Sequence, residues 1–496
     1  MIRKHLICDA AGTFMRVKAK KCIYGTNILL LSIFVLALAI RFVPLFTHDH
    51  PMGVDAYYHF RQAEQFKTGY DSFDELSFGG RPYVYQPTFH FFLAALSIMT
   101  FLPVETVAPI AVTLLGALTV VVVFFIVRRV FKNDTAALLS AAFLAVTPVF
   151  IWKTSSNTLL TAVDMFLLSL AILFLLKQEK TKYLIAASVL FLFNPLIGLL
   201  AMCLNIAYCR PNASHRKIDS VGNIKGWKWI DFAWLLLFIA FIISSLHFLP
   251  AFEKIYISKD LPQDILAAMN ENIDISGYLF RVNVFAVGFG IFGLYLARKK
   301  VKNMLPLLMV LAVSLASLAL GVIETDRALV YAVLPLSVFA GFGASEVLKR
   351  KPQAFGIMLI ILAASTLWGF VSLGNLEWSA IPDSEYAALE WLKNSSSENA
   401  TILATPIEGH WITYVSRRKN VIDTHLLGAT DFTERFDDVM TFYRTDDNGI
   451  RDGLIKKYNI SYVFYSDRFA RSGFSIEKLN IYAPVYQNGS TVVFKV

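Results

Sequence analysis

The chain has 496 residues, of which 56% are hydrophobic and 17% charged, with a mean hydropathy of +0.54. Those values exclude an ordinary soluble domain and describe a polytopic membrane protein, so the formal charge of +9 has to be read loop by loop, and no nucleic-acid partner is expected. The four cysteines, Cys8, Cys22, Cys203 and Cys209, show no CxxC or other metal spacing, which implies neither zinc nor a disulfide framework.

A spanning helix needs about 20 apolar residues. The first such run, 27–46, is too long for a signal peptide and has no small-residue cleavage site, so it is read as a span. After it comes "GVDAYYHFRQAEQF" (53–66), a helix-like segment rich in polar and aromatic residues, and then "QPTFHFFLAALSIMTFL", read as a helix packed at the external surface. Further spans are expected near 107–127, 136–152 and 159–176. The stretch 182–209 is apolar but broken at Phe193-Asn194-Pro195, where proline removes a helical hydrogen bond, and is read as two short helices meeting at an external tip. Spans near 229–249, 278–297, 303–321, 328–347 and 354–375 bring the expected total to about eleven segments.

With the N-terminus cytoplasmic, the cytoplasmic loops hold 24 Lys and Arg residues and the external ones 7, as the positive-inside rule requires. The external face then presents the loops 47–106, 153–158 and 250–277. After Trp378 the chain becomes mixed polar and apolar, with the helix-like "SEYAALEWLKN" and the strand-like runs "ATILAT", "SYVFYS" and "TVVFKV". The expected organisation is a membrane domain over 1–377 and an extracytoplasmic α/β domain over 378–496, whose four sequons at Asn394, Asn399, Asn459 and Asn488 are compatible with an external side.

Four places can carry chemistry. In the first loop, helical spacing puts Asp55, His59 and Gln62 on one face and Tyr57 and Arg61 on another; Asp55 is also a good helix cap. In the fourth span, Asp164 costs on the order of 2.5–3.5 kcal/mol to insert, so it is expected to face a polar cavity or to bond Ser155, Ser156 or Thr161. Two acids at the external mouth suit a divalent cation or the activation of a nucleophile. At the start of a late span stand Glu324, Asp326 and Arg327, whose planar donor fork matches a lipid phosphate or pairs with a neighbouring acid. In "TPIEGHWITYVSRRKNVID", Glu408, His410 and Trp411 follow Pro406 and flank Gly409, where they can line the cavity or simply pack.

The motifs "GVDAYYHFR", "RPYVYQPTFHFF" and "AVTPVFIWKTSSN" before an acid, with Arg327 and Pro335 in a late span, resemble the catalytic subunit of oligosaccharyltransferase, a C-type (GT-C) membrane glycosyltransferase. The resemblance implies an integral-membrane enzyme that moves a sugar or oligosaccharide from a polyprenyl (dolichyl) phosphate or pyrophosphate donor to a protein or lipid-linked glycan acceptor among membrane lipids. It implies Asp55 and Asp164 as catalytic acids and as ligands of a divalent cation (Mg or Mn), and Arg327, with Arg61, at the donor phosphate. His59, Tyr57, Glu408, His410 and Trp411 fall in the acceptor cavity. Ala162 stands where the family carries the first acid of a DxD pair, and "TPIEGHWITY" where it carries WWDYG. The expected setting is a prokaryotic plasma membrane. A non-catalytic lipid-glycan transporter or substrate-presenting subunit is the other reading; such proteins show internal repeats and midplane helix breaks, and this chain has one broken segment and no convincing repeat.

Overall fold

The computed structural model describes residues 2–69, 72–83, 85–155, 159–209, 275–320, 325–374, 380–425, 429, 431–466, 468 and 474–496. The expected span 229–249, nearly all of the loop 250–277, Ser156, Glu324 and Trp378 lie outside the described residues.

Helix α1 (Ile2–Thr47) leads into α2 (Val54–Thr68), a hairpin of β1 (Phe73–Asp74) and β2 (Arg81–Pro82), and α3 (Pro87–Thr100). Then come α4 (Val104–Phe131), α5 (Asp134–Ala145), α6 (Pro148–Thr154), α7 (Leu159–Lys177), α8 (Lys180–Phe193) and α9 (Pro195–Cys209). Beyond residue 274 follow α10 (Ile275–Val282), α11 (Val284–Ala297), α12 (Val301–Leu320), α13 (Thr325–Arg350) and α14 (Phe355–Val371).

Six helices among the described residues are long and apolar enough to cross a membrane, or seven if the bent pair α5–α6 is one span, against about eleven segments expected over the whole chain. The difference lies in where the apolar runs break. Residues 182–209 do form two helices meeting at Asn194, and at 1.5 Å per residue each is shorter than the roughly 30 Å of a hydrocarbon core. The expected span 136–152 bends by 65° at Thr147-Pro148, and 278–297 is broken by Asn283, whose φ of 71° no helix accommodates.

A break in an apolar bundle frees backbone carbonyls that need a donor. At the α5–α6 bend the donor is Arg41 of α1, fully buried, which reaches the Ala145 carbonyl at 3.3 Å and Thr154 Oγ1 at 2.8 Å, with its guanidinium 4.7 Å from the Phe150 ring centroid. Elsewhere small residues bring helices close. Gly293 on α11 and Gly343 on α13 face one another so tightly that a Cβ at Gly293 would lie 1.9 Å from the Phe339 carbonyl oxygen.

The C-terminal region carries α15 (Asp383–Ser395), α16 (Pro406–Trp411), α17 (Phe432–Arg444) and α18 (Asn448–Tyr458) around a five-stranded sheet. Its strands are β3 (Thr401–Leu403), β4 (Lys419–Asn420), β5 (Ile460–Tyr465), β6 (Ala483–Asn488) and β7 (Thr491–Lys495), in the order β4-β3-β5-β7-β6. β3 runs parallel to both its neighbours, while β7 is antiparallel to β5 and β6.

Successive side chains of a strand point to opposite faces. Ile402, Phe464 and Val493 therefore join one apolar core, and Leu403, Val463 and Val492 the other. The first of these cores is continuous with Tyr57 and Phe60 of α2, Phe89 of α3, Val112 of α4 and Ala162 of α7. One hydrophobic cluster thus welds the sheet, the loop helices and one end of the bundle together.

The Gly293→Ala substitution should destabilise the α11–α13 contact by about 1–3 kcal/mol, because backbone and not a flexible side chain occupies the added methyl's position. A thermal midpoint in detergent equal to that of the unsubstituted protein would refute this packing.

Candidate active site at the sheet-facing end of the bundle

Gly53, with φ of 103°, is the residue before α2, and only glycine adopts that conformation readily. Asp55 is consequently the second helical residue and not the cap. Its side chain is 59% exposed and accepts a hydrogen bond from Thr424 Oγ1 at 3.1 Å. His410 Nε2 lies 4.0 Å from the same carboxylate, and His410 Nδ1 3.8 Å from Asp423. Neither His410 nitrogen has a hydrogen-bond partner among the described residues.

The expected shared face of Asp55, His59 and Gln62 is split, since His59 and Gln62 are buried while Asp55 reaches solvent. His59 Nδ1 lies 2.8 Å from His90 Nε2, and His90 Nδ1 2.5 Å from the Tyr83 hydroxyl. Gln62 donates to Asp74 at 3.0 Å.

Arg61 is corrected as a phosphate ligand. Both its Nη atoms are taken by Asp74 at 2.5 Å, and both side chains are buried, so its fork of donors is spent inside the protein. Asp74 is held below the usual carboxylate range because the charge and hydrogen bonds of Arg61, with the charge of Arg81, outweigh the burial that pushes it up.

Tyr57, Glu408 and Trp411 are also interior. Tyr57 donates to the Pro51 carbonyl at 2.7 Å and packs edge-on to Trp411, which has no exposed surface. Glu408 completes a capping box with Thr405 and accepts from Ser466, which turns it away from Asp55. The α16 cap uses the one acid that "TPIEGHW" offers.

Asp164 sits on α7 with 2% exposure. Its Oδ2 accepts from Asn194 Nδ2 at 2.7 Å and from the Tyr331 hydroxyl at 3.0 Å, not from Ser155 or Thr161. Its Oδ1 is buried with no hydrogen-bond partner among the described residues. Ala162, two residues earlier, faces the apolar core, where a carboxylate would have no polar contact. Tyr331 is one helical turn beyond Arg327 on α13, and Arg327 is exposed.

Tyr85 lies between β2 and α3. Burial pushes its hydroxyl up, the charge of Arg327 pulls it down, and the charges of Asp164 and Asp55 push it up. Its ring is 5.1 Å from that of His59 and 5.4 Å from that of His425.

Sequence reasoning missed Tyr85, Asn194, Tyr331 and Asp423. Asn194 had a signal, because it was visible as the helix break in "FNP"; that its amide would hold an acid was not.

The segment 85–246 matches the profile of the family described as dolichyl-phosphate-mannose-protein mannosyltransferase. A curated relative, dolichyl-phosphooligosaccharide-protein glycotransferase 1 of Archaeoglobus fulgidus, is 31% identical over 183 residues, which is 35% of this chain and 31% of that protein; the aligned stretch thus spans about a third of the relative. The crystal structure of the Archaeoglobus fulgidus oligosaccharyltransferase in its apo form superposes with a TM-score of 0.65 at 13% identity, over 90% of this chain and 70% of that one. ArnT from Cupriavidus metallidurans in its apo state superposes with a TM-score of 0.59 at 14% identity, over 95% and 98%. The archaeal enzyme has also been solved with Zn and sulfate and with an inhibitory peptide and a dolichol-phosphate, and ArnT with undecaprenyl phosphate.

The buried imidazoles set an acid limit on this architecture. Burial, with the charges of His410 and Arg327, pushes His59 down to about 3, and burial also lowers His410 and His425. Below pH of about 6.5 the unfolded chain takes up protons that the folded one refuses, so stability is complete above that value and falls as the pH drops, by about 1.4 kcal/mol per unit for His59. Thermal midpoints in detergent should therefore fall between pH of about 7 and about 5, less steeply in His59→Gln; equal slopes would refute the neutral buried imidazole.

An integral multi-pass membrane protein by its helices, this chain has the fold of the C-type (GT-C) membrane glycosyltransferases.

Proposed function

We propose that the chain is an inverting glycosyltransferase, moving a sugar or oligosaccharide from a polyprenyl (dolichyl) phosphate or pyrophosphate to a protein or lipid-linked glycan acceptor. The observation that carries this reading is the buried Asp164 carboxylate held by Asn194 of the helix break and by Tyr331, one turn from Arg327 on α13. The profile match over 85–246 and the polyprenyl-phosphate and peptide ligands of the neighbours support it.

In the proposed reaction the acceptor heteroatom attacks C1 of the sugar from the side opposite the phosphate. The C1–O bond breaks, its electron pair leaves on the phosphate, and the acceptor proton passes to the exposed Asp55 carboxylate. Arg327 stabilises the charge gathering on the departing phosphate. Asp164, fixed by Asn194 and Tyr331, positions the reacting groups. Positioning is enough, because a lipid-linked phosphate is already a good leaving group.

The donor set also fits a hard divalent cation such as Mg or Mn. The unpartnered Asp164 Oδ1 is an oxygen ligand in waiting, and Asp55 is the second carboxylate. No cluster of three His, Cys, Asp or Glu ligands exists among the described residues, so donor phosphate and water would complete the shell, as is usual for Mg. Such an ion would neutralise phosphate charge as the bond breaks.

The reading includes an N-terminus inside a prokaryotic plasma membrane, a membrane domain over 1–377 with the loop 47–106, and a sheet domain over 378–496 outside. It rests on the excess of Lys and Arg in the loops assigned to the cytoplasm.

Asp55→Asn, Asp164→Asn and Arg327→Met should each lower transfer from a labelled polyprenyl-linked sugar by about a hundredfold or more. Unchanged transfer in the folded carboxylate variants would remove the catalytic assignment.

A further inference from the structure

Next to Arg327, on the neighbouring face of α13, lies a charge cluster that the proposed chemistry does not use. Asp326 is buried and accepts from Arg281 of α10, while Lys153 at the end of α6 places its Nζ 3.9 Å from the other carboxylate oxygen. The Lys153 side chain is only 4% exposed, whereas Arg281 is 26% exposed and opens the cluster to the surface. The Trp152 ring lies beside both cations, its centroid 4.8 Å from Lys153 Nζ and 5.4 Å from the Arg281 guanidinium. Phe280 packs on Trp368 at 4.9 Å, and both rings are exposed at that rim of the bundle.

Burying ions at the edge of an apolar bundle is costly, and such groups are seldom retained for stability alone. Two cations here flank one carboxylate, and Arg327 is the next residue along α13. That carboxylate spreads two oxygens toward Lys153 and Arg281 much as a phosphate would, and exposed aromatic rings lie alongside for an apolar tail.

We infer that Lys153 and Arg281 hold the lipid-linked phosphate together with Arg327, and that Asp326 is an internal anion which that phosphate displaces. This deepens the reading above and rests on it for the identity of the lipid. Asp326 then acts against binding. By competing for both cations it keeps the spent polyprenyl phosphate from being held too tightly after transfer. Lys153 and Arg281 thus bind the phosphate directly, and Asp326 acts through them.

The test is binding of undecaprenyl phosphate by the full chain in detergent, with undecaprenol and inorganic phosphate as separate probes. Lys153→Met and Arg281→Met should each weaken binding about tenfold or more, and Lys153→Arg should restore most of it. Asp326→Asn should tighten it. A purely structural ion cluster would weaken binding in all three, so the opposite sign at Asp326 discriminates. Undecaprenol binding should stay unchanged throughout, and inorganic phosphate should bind more weakly than undecaprenyl phosphate. Unchanged affinity in Lys153→Met and Arg281→Met, weaker binding in folded Asp326→Asn, or an equal effect on undecaprenol would overturn the inference. If Asp326→Asn does not fold, the two cation variants decide. Because the readout is binding, these shifts without any sugar transfer would defeat the transferase reading and leave this one standing.

Discussion

A carboxylate with no exposed surface has to be met by donors on every side, and Asp423 is the place where this protein meets that demand. It accepts from Ser77 at 2.5 Å, from the Asn420 amide at 3.1 Å and from the His425 backbone at 2.9 Å, and it pairs with Arg81 at 3.3 Å. Arg81 and the charges around it hold Asp423 below the usual carboxylate range against its own burial. Two of those partners belong to the hairpin after α2, one to β4 and one to the segment after it. A buried ion pair contributes little net stability but is costly to break, so its effect is on geometry. It fixes the register between the loop and the sheet, which is what sets Thr424 and His410 beside Asp55.

The second constraint is the membrane itself. Backbone groups freed by a broken helix must be satisfied within the protein. At Thr147-Pro148 the long arm of Arg41 does this, and at Asn283 the side chain accepts from two backbone N–H groups of the next helix. At Asn194 the same residue ends α8, faces the first turn of α9 and donates to Asp164. A helix break and the orientation of a reactive acid therefore share one side chain. The short helices that follow such breaks shape one end of the bundle, and the candidate site forms there.

Much of this was legible beforehand. The helices over 54–68 and 87–100, the break at Asn194 and the sheet after residue 400 follow from local signals: apolar period, proline, and short β-branched runs between glycine and asparagine. The bend at Pro148 carried the same signal as the break at Pro195, yet the continuous hydrophobicity of 136–152 masked it. Of the polar candidates, Asp55 and Arg327 reach the surface and Asp164 is held by Asn194 and Tyr331, whereas Arg61, Tyr57, Glu408 and Trp411 turned inward. A charged or aromatic residue in a helix-like stretch announces that it needs a partner and not which partner it finds.

By itself the sequence determined the membrane class, the placement of apolar helices and the α/β character of the C-terminal region, because these depend on hydrophobicity and on neighbours three or four residues away. Only the tertiary structure decided that Arg61 goes to Asp74 and Asp164 to Asn194 and Tyr331, or that Asp423 ties Ser77 to Asn420 across 346 and 3 residues of chain. The reason is that a buried charge is satisfied by whichever donors packing brings within about 3 Å, and packing is set by apolar surface contributed from the whole chain.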